Sequence, residues 1–132
     1  MVERIGVRIF QNVWFARFAS RERIDARTLV EAVRRAERGQ IDADLGGGVI
    51  KQRVARSGQG RSGGYRTLLF YRRGDRAVFV FGFAKRDREN ISTSDLADLK
   101  QAARVTMGLS SPALDRLVEA GKLLEIVDDE TD

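Results

Sequence analysis

Five basic side chains, Lys51, Arg53, Arg56, Arg61 and Arg66, crowd one short stretch, and no acidic residue lies anywhere between Asp44 and Asp75. Cations gathered without counter-ions suit a polyanionic partner, because neutralising phosphates releases condensed counterions and so favours binding of nucleic acid. They also suit cutting RNA. RNA carries its own nucleophile, so a 2′-hydroxyl held in line with the scissile phosphate needs neither metal nor hydrolytic water to begin the reaction. The requirement is charge stabilisation: as the phosphorane forms, negative charge grows on the nonbridging oxygens, where guanidinium forks and an ammonium hold it. Arg66 suits that role. Lys51, two positions before Arg53, is either a general base whose pKa is lowered by its cationic neighbours or a purely electrostatic contributor. Arg53 and Arg56 also have an ordinary structural reading, since charged residues guard sheet edges against aggregation.

Other chemistries are excluded by absence. The 132 residues include no Cys and no His, which removes disulfides, thiolate nucleophiles, zinc sites of the usual kind and Ser-His-Asp triads. No metal and no cofactor is expected. The net charge of +5 conceals a division: residues 1–110 hold 22 Lys and Arg against 12 Asp and Glu, whereas residues 111–132 hold 2 against 7. The body is basic and the tail acidic. At 42% hydrophobic residues the chain can bury one core but not two, so a single compact domain is expected. No apolar run approaches a membrane-spanning length, which predicts a soluble, cytoplasmic protein that does not engage a membrane.

The elements that must position these cations follow from periodicity. Residues 5–10 read as a short strand, and 11–24 place Val13, Trp14 and Phe18 at helical spacing, for core packing or as an aromatic platform for RNA bases. A second helix follows over 25–39, with Asp25 and Thr28 as candidate caps, Leu29, Val33 and Ala36 on one face and Gly39 as its stop. Gly46, Gly47 and Gly48 have no Gly-Lys-Ser/Thr context and read as a flexible lead into a strand. Strands at about 49–55, 64–72 and 76–84 form an antiparallel meander, with a Gly/Ser-rich connection before the second and a hairpin turn at Gly74-Asp75 before the third. Alternation puts Lys51 and Arg53 on one face and Ile50, Gln52 and Val54 on the other; Phe79, Phe81 and Phe83 alternate strictly and are expected in the core. A last helix begins near Ser94, its candidate cap, with Leu96, Leu99, Ala103 and Met107 at helical intervals. The class is α+β: a strand and two helices, a three-stranded antiparallel meander, then a helix.

On these strands Lys51-x-Arg53, then Ser62-Gly63-Gly64-Tyr65-Arg66, then the run from Phe81 to Ile91 resemble the RelE/ParE superfamily of bacterial toxins, in particular its HigB-like branch, over about residues 5–105. The resemblance implies a RelE-like compact domain at 1–110 followed by an acidic C-terminal extension at 111–132. It implies the toxin of a type II toxin–antitoxin pair, an mRNA endoribonuclease acting at the ribosome, with a cognate antitoxin, expected to be a helix-turn-helix protein, as its partner. Carried over residue by residue, it assigns the cleavage site to Lys51, Arg53, Arg66 and Arg86, with Lys85 adjacent. Arg66 and Arg86 are then the two charge-stabilising donors. Where some relatives have a tyrosine this chain has Ser92, so Tyr65 is a candidate substitute. Arg56 and Arg61 lie on a longer connection than the RelE-like loop and are expected to grip RNA backbone, with Tyr65 and Ser92 also among the RNA-binding residues.

Two other readings stay open: a ParE-like inhibitor of DNA gyrase, and a basic module that binds RNA without cutting it. Arg86 and Arg88 stand in an alternating-charge stretch where surface ion pairs are ordinary, and Asn90 reads as a turn residue. The tail pairs a short apolar run with Asp128, Asp129, Glu130 and Asp132. It is either a frayed solubilising terminus or an intramolecular mimic of phosphate.

Overall fold

The structure, a computed structural model, describes residues 6–56, 60–84 and 91–127, the side chains of 56 and 60–63 excepted. Alternating burial along the strands divides the protein into layers. Ile9, Ile50, Leu69 and Phe79 join one apolar cluster with Phe15, Phe18, Leu29 and Val33, while their strand neighbours Phe10, Val49, Leu68 and Val78 join a second with Ala103 and Leu114. Successive strand residues point to opposite faces. Helices α1 (Val13–Arg21) and α2 (Ala26–Glu37) therefore cover one face of the sheet, and α3 (Thr93–Met107) and α4 (Ser111–Glu119) the other. Between them lie β1 (Arg8–Asn12), β2 (Ala43–Gly46), β3 (Val49–Arg56), β4 (Gly60–Arg72), β5 (Arg76–Ala84) and β6 (Leu123–Ile126), ordered β2-β3-β4-β5-β1-β6. β1 and β5 pair in parallel and the other neighbours antiparallel. The α+β class and the β3–β4–β5 meander are as the sequence predicts. No helix among the described residues is long and apolar enough to cross a membrane.

Caps fix where the helices begin. The Asp25 carboxylate accepts from the Thr28 backbone N–H at 2.9 Å, so Asp25 is the cap of α2 and Thr28 its partner. Asn12 caps α1 by accepting from the Phe15 N–H at 2.7 Å, so Gln11 and Asn12 close the strand rather than open the helix. The strand expected at 5–10 accordingly runs from Arg8 to Asn12. α3 starts at Ser92 rather than Ser94: the Ser92 hydroxyl accepts from the Asp95 N–H at 3.1 Å, three residues on, as a cap requires.

The glycines read differently from expectation. Gly47 and Gly48, at φ +63° and +84°, form the turn between β2 and β3, a conformation glycine adopts without steric penalty. They close a tight hairpin instead of leading flexibly into a strand, and β2 is a strand that periodicity did not reveal. The expected Gly/Ser-rich connection is also shorter, because β4 begins at Gly60 and pairs there with Arg56. A register shift between Val54 and Arg56 accommodates this arm. Gly64 makes it possible, since a Cβ at that position would lie 2.2 Å from the Val54 carbonyl oxygen.

β5 breaks its own alternation. Leu68 opposes Phe81 while the next residue, Leu69, opposes Phe79, so Val80 is an extra residue, a β-bulge that turns the strand by one position. Phe79 stacks on Phe15 with ring centroids 5.0 Å apart under α1, whereas Phe81 packs against the cluster on the α3 side. The three phenylalanines thus do not share one face.

Residues 111–126 are not frayed. They form α4, which buries Leu114 beside Ala103, and β6, which extends the sheet with Ile126 opposite Ile9. Two of the acidic side chains there, Asp115 and Glu125, are used internally. The Arg8 guanidinium donates to both Glu125 carboxylate oxygens at 3.0 and 2.9 Å, to Asp115 at 2.8 Å and to the Ser111 hydroxyl at 2.7 Å. It also lies 4.9 Å from the Phe10 ring centroid. Arg8, held in its charged form by those carboxylates, ties β1, α4 and β6 together; Asp115 and Glu125 do not mimic phosphate. Asp128, Asp129, Glu130 and Asp132 lie outside the described residues.

Candidate functional site

Strand register brings three of the expected cations together. Arg53 on β3 is directly opposite Arg66 on β4; Lys51 is opposite Leu68, and Arg66 in turn opposes Phe83 on β5. Leu68 belongs to the cluster beneath α3, so by alternation Lys51, Arg53, Arg66 and Phe83 share that face. Lys51 and Arg66 are half-buried and Arg53 is exposed. Like charges directly across a sheet repel. Among the described residues, none supplies a hydrogen bond or ion pair to these three side chains. An anion set between them would relieve that repulsion.

The strip is held by residues that the sequence did not single out. β3 runs past the end of β2, which would leave backbone groups on its outer edge without strand partners. Asp42 fills one gap, accepting from the Arg53 N–H at 2.7 Å, and the Arg35 guanidinium donates to the Arg53 carbonyl while lying 3.6 Å from Asp42. Gln52, fully buried, donates to the Ala32 carbonyl at 2.9 Å and accepts from the Asp42 N–H at 2.8 Å, pinning β3 to α2. Thr67 donates to the Gln52 carbonyl at 2.8 Å. The one sequence signal was a glutamine on the otherwise apolar side of an alternating strand. Lys100 of α3 lies over the glycine turn, its Cγ 3.0 Å from where a Gly47 Cβ would be.

Other expected site residues fall elsewhere. Tyr65 is 2% exposed, packs edge-on to Phe18 under α1 and donates from its hydroxyl to Glu22 at 2.7 Å. It lies on the sheet face opposite Arg66, so it cannot contact RNA beside that arginine; the alternation of β4 requires this. Ser92 is exposed and acts as the α3 cap, with its hydroxyl proton left to donate. Arg56 and Arg61 lie on the paired arms of the β3–β4 hairpin, but their side chains, and all of Lys85, Arg86, Arg88 and Asn90, are outside the described residues. Phe18 is core, whereas Trp14 remains 43% exposed. Trp14 wraps the edge of β5 beyond the end of β1, stacking on Phe18 at 5.5 Å and on Phe81 at 4.6 Å. Phe81 is 6.0 Å from Phe83, so aromatic rings lead from α1 to the residue opposite Arg66.

Chemically, the strip offers guanidinium and ammonium donors for phosphate oxygens, with aromatic surface at one end. Among the described residues no three carboxylates gather as a metal site would require. Among curated proteins none matches the chain. A family model, that of the RelE toxin of the RelE/RelB toxin–antitoxin system, matches residues 7–126, from β1 to the end of β6.

Proposed function

The chain belongs to the RelE toxin family and is a toxin of a toxin–antitoxin system with an antitoxin as its partner, and from that membership we propose that it is an mRNA endoribonuclease acting at the ribosome in the cytoplasm. The observation that carries the proposal is the cross-strand pair Arg53–Arg66 with Lys51 beside it, three cations on one face without partners among the described residues. In the proposed reaction the 2′-hydroxyl of the nucleotide at the cut attacks the adjacent phosphorus, and the bond to the 5′-oxygen of the next nucleotide breaks. The products are a 2′,3′-cyclic phosphate and a 5′-hydroxyl. One proton leaves the 2′-hydroxyl and one reaches the departing 5′-oxygen. Arg66 and Arg86 hold the nonbridging oxygens, whose charge grows in the transition state; Arg53 adds charge across from Arg66, and Lys51 acts beside them, as base or as a fixed charge. Lys85 completes the assignment made by resemblance, and Arg56 and Arg61 grip backbone phosphates on the hairpin arm.

The motifs at 62–66 and 81–91 support the HigB-like branch, and a helix-turn-helix antitoxin is the partner proposed with it. Brief induction of the chain in cells, with mapping of new RNA ends within minutes, tests the reading. Ends bearing a 2′,3′-cyclic phosphate within translated messages are expected. No new ends, together with inhibition of purified DNA gyrase, would move the chain to a ParE-like function.

A further inference from the structure

Next to the cationic strip lies a half-open cavity of about 350 Å³ between β5 and α3, lined by Val80, Phe81, Ile91, Asp95, Asp98 and Leu99. Its volume is at the lower end of the range of small-molecule sites, and among the described residues its wall is mostly apolar with two carboxylates. Asp95 has a structural reason to be there, since it stands in the first turn of α3, where a negative charge is favoured. Asp98, exposed and a turn further on, has no such reason. The bulge at Val80 is what places Phe81 on the α3 side of the sheet, where it borders this cavity and also stacks on Trp14. Phe81 is also two residues from Phe83, which opposes Arg66, and two residues along a strand span roughly 7 Å. A nucleotide whose phosphate rests on Arg66 can therefore place its base at Phe81.

We propose that this cavity is a base-recognition pocket for the bound RNA, taking one unstacked guanine against Phe81 with the Asp98 carboxylate accepting from its Watson–Crick edge. Unstacked bases in single-stranded RNA are bound by stacking on aromatic rings and by hydrogen bonds to that edge. Guanine presents two adjacent donors, N1–H and the N2 amino group, which match the two oxygens of a carboxylate, and such charge-assisted bidentate pairs are strong. Uracil and cytosine offer one donor group there and adenine only its amino group. The inference rests on the RNA-cleaving reading for the placement of the phosphate, and its test separates the two.

Trp14 is the single tryptophan of the chain and stacks on Phe81 at 4.6 Å, so its emission reports on the cavity. The full-length protein is titrated with short single-stranded RNAs carrying a 2′-deoxy nucleotide at the cut and either guanine or inosine, which lacks the N2 amino group, at one position. Saturable change in Trp14 emission with about tenfold tighter binding of the guanine strand, and loss of that difference in Asp98→Asn, is expected. The matching readout is the base composition at RNA ends mapped for wild type and Asp98→Asn, where a guanine preference should fall about tenfold. Equal binding of guanine and inosine strands by the wild type overturns the proposal, whether or not RNA is cut. So does an Asp98→Asn variant that keeps its base preference but escapes inhibition by the antitoxin, which would give the groove to that protein. A wild type that cuts no RNA yet discriminates guanine from inosine through Asp98 retains the pocket and fails only the cleavage reading.

Discussion

β4 carries two arginines on the same face, Arg66 and Arg72, and each stands directly across from another arginine: Arg66 from Arg53, Arg72 from Arg76. The pairs meet different surroundings. At the hairpin turn, Asp75 accepts from Arg72 at 2.6 Å and from Arg76 at 3.3 Å. The remaining donors reach the C-terminal end of α3, Arg72 to the Met107 carbonyl at 3.1 Å, and Arg76 to those of Thr106 and Leu109 at 3.2 and 2.8 Å. Helix ends leave such carbonyls without intrahelical donors, and cations are favoured beside them. Arg76 is 6% exposed and acts as a structural cap. Nothing equivalent reaches Arg53 and Arg66 among the described residues. Identical like-charge pairs thus separate by their surroundings: the chain itself neutralises the pair at one end of the strand, and at the other the described residues supply no counter-charge, which leaves that pair to the proposed RNA phosphate.

Substitutions should separate the two ends cleanly. The largest effect is expected for Arg66→Ala, which should lower the rate of RNA cleavage at saturating substrate by roughly two to three orders of magnitude, the scale for removing one donor to a developing oxyanion, while leaving the thermal midpoint nearly unchanged. Arg76→Ala should do the reverse. It removes a buried charged group with hydrogen bonds to helix carbonyls and should destabilise by roughly 2–3 kcal/mol in denaturant titration, with cleavage by the folded fraction intact. Equal rate losses for both would erase the distinction.

A smaller effect is expected from pH. The Asp75 carboxyl is held below the usual carboxylate range, chiefly by its hydrogen bond from Arg72, then by that from Arg76, against a partial desolvation cost. The folded state therefore binds this proton less readily than the unfolded chain does. The stabilisation is present above the ordinary carboxylate pKa and is lost as pH falls through the lowered folded value. Asp75→Asn should be less stable than wild type at neutral pH, and the two should converge in acid. A difference that persists unchanged under acidic conditions would mean that the turn does not rely on this charge. The smallest effects belong to the hairpin arm: Arg56→Ala and Arg61→Ala should each reduce the slope of log affinity against log salt by about one unit, without lowering the rate at saturation.

Much of the fold was legible because it was written locally. Asp25 before an apolar-periodic run, and Gly74-Asp75 between two β-rich runs, each state an element boundary in a few residues. The cations of the strip were legible for the same reason, since period-two alternation alone places Lys51 and Arg53 together. What was missed depends on distant partners or on competing signals. The start and stop of α4 were visible, in Ser110 with Pro112 and in Gly121, but the acidic charge of the tail suggested a terminus instead. Asp115 and Glu125 acquire a purpose only through Arg8, more than a hundred positions away. The bulge at Val80 has no local mark, because an apolar β-branched residue fits either register; it alone decides that Phe81 faces α3. Tyr65 shows the limit of adjacency. Its neighbour Arg66 is in the strip, and for that reason Tyr65 is on the other side of the sheet.

The central claim, that the Lys51–Arg53–Arg66 strip serves a reaction begun by the RNA itself, is tested most directly on translating ribosomes with a message carrying a single 2′-deoxy substitution at the mapped cut. The account predicts that cleavage at that position stops while binding is largely retained, and that the unsubstituted message yields an upstream product ending in a 2′,3′-cyclic phosphate. Undiminished cutting of the deoxy-substituted message at the same position would contradict it.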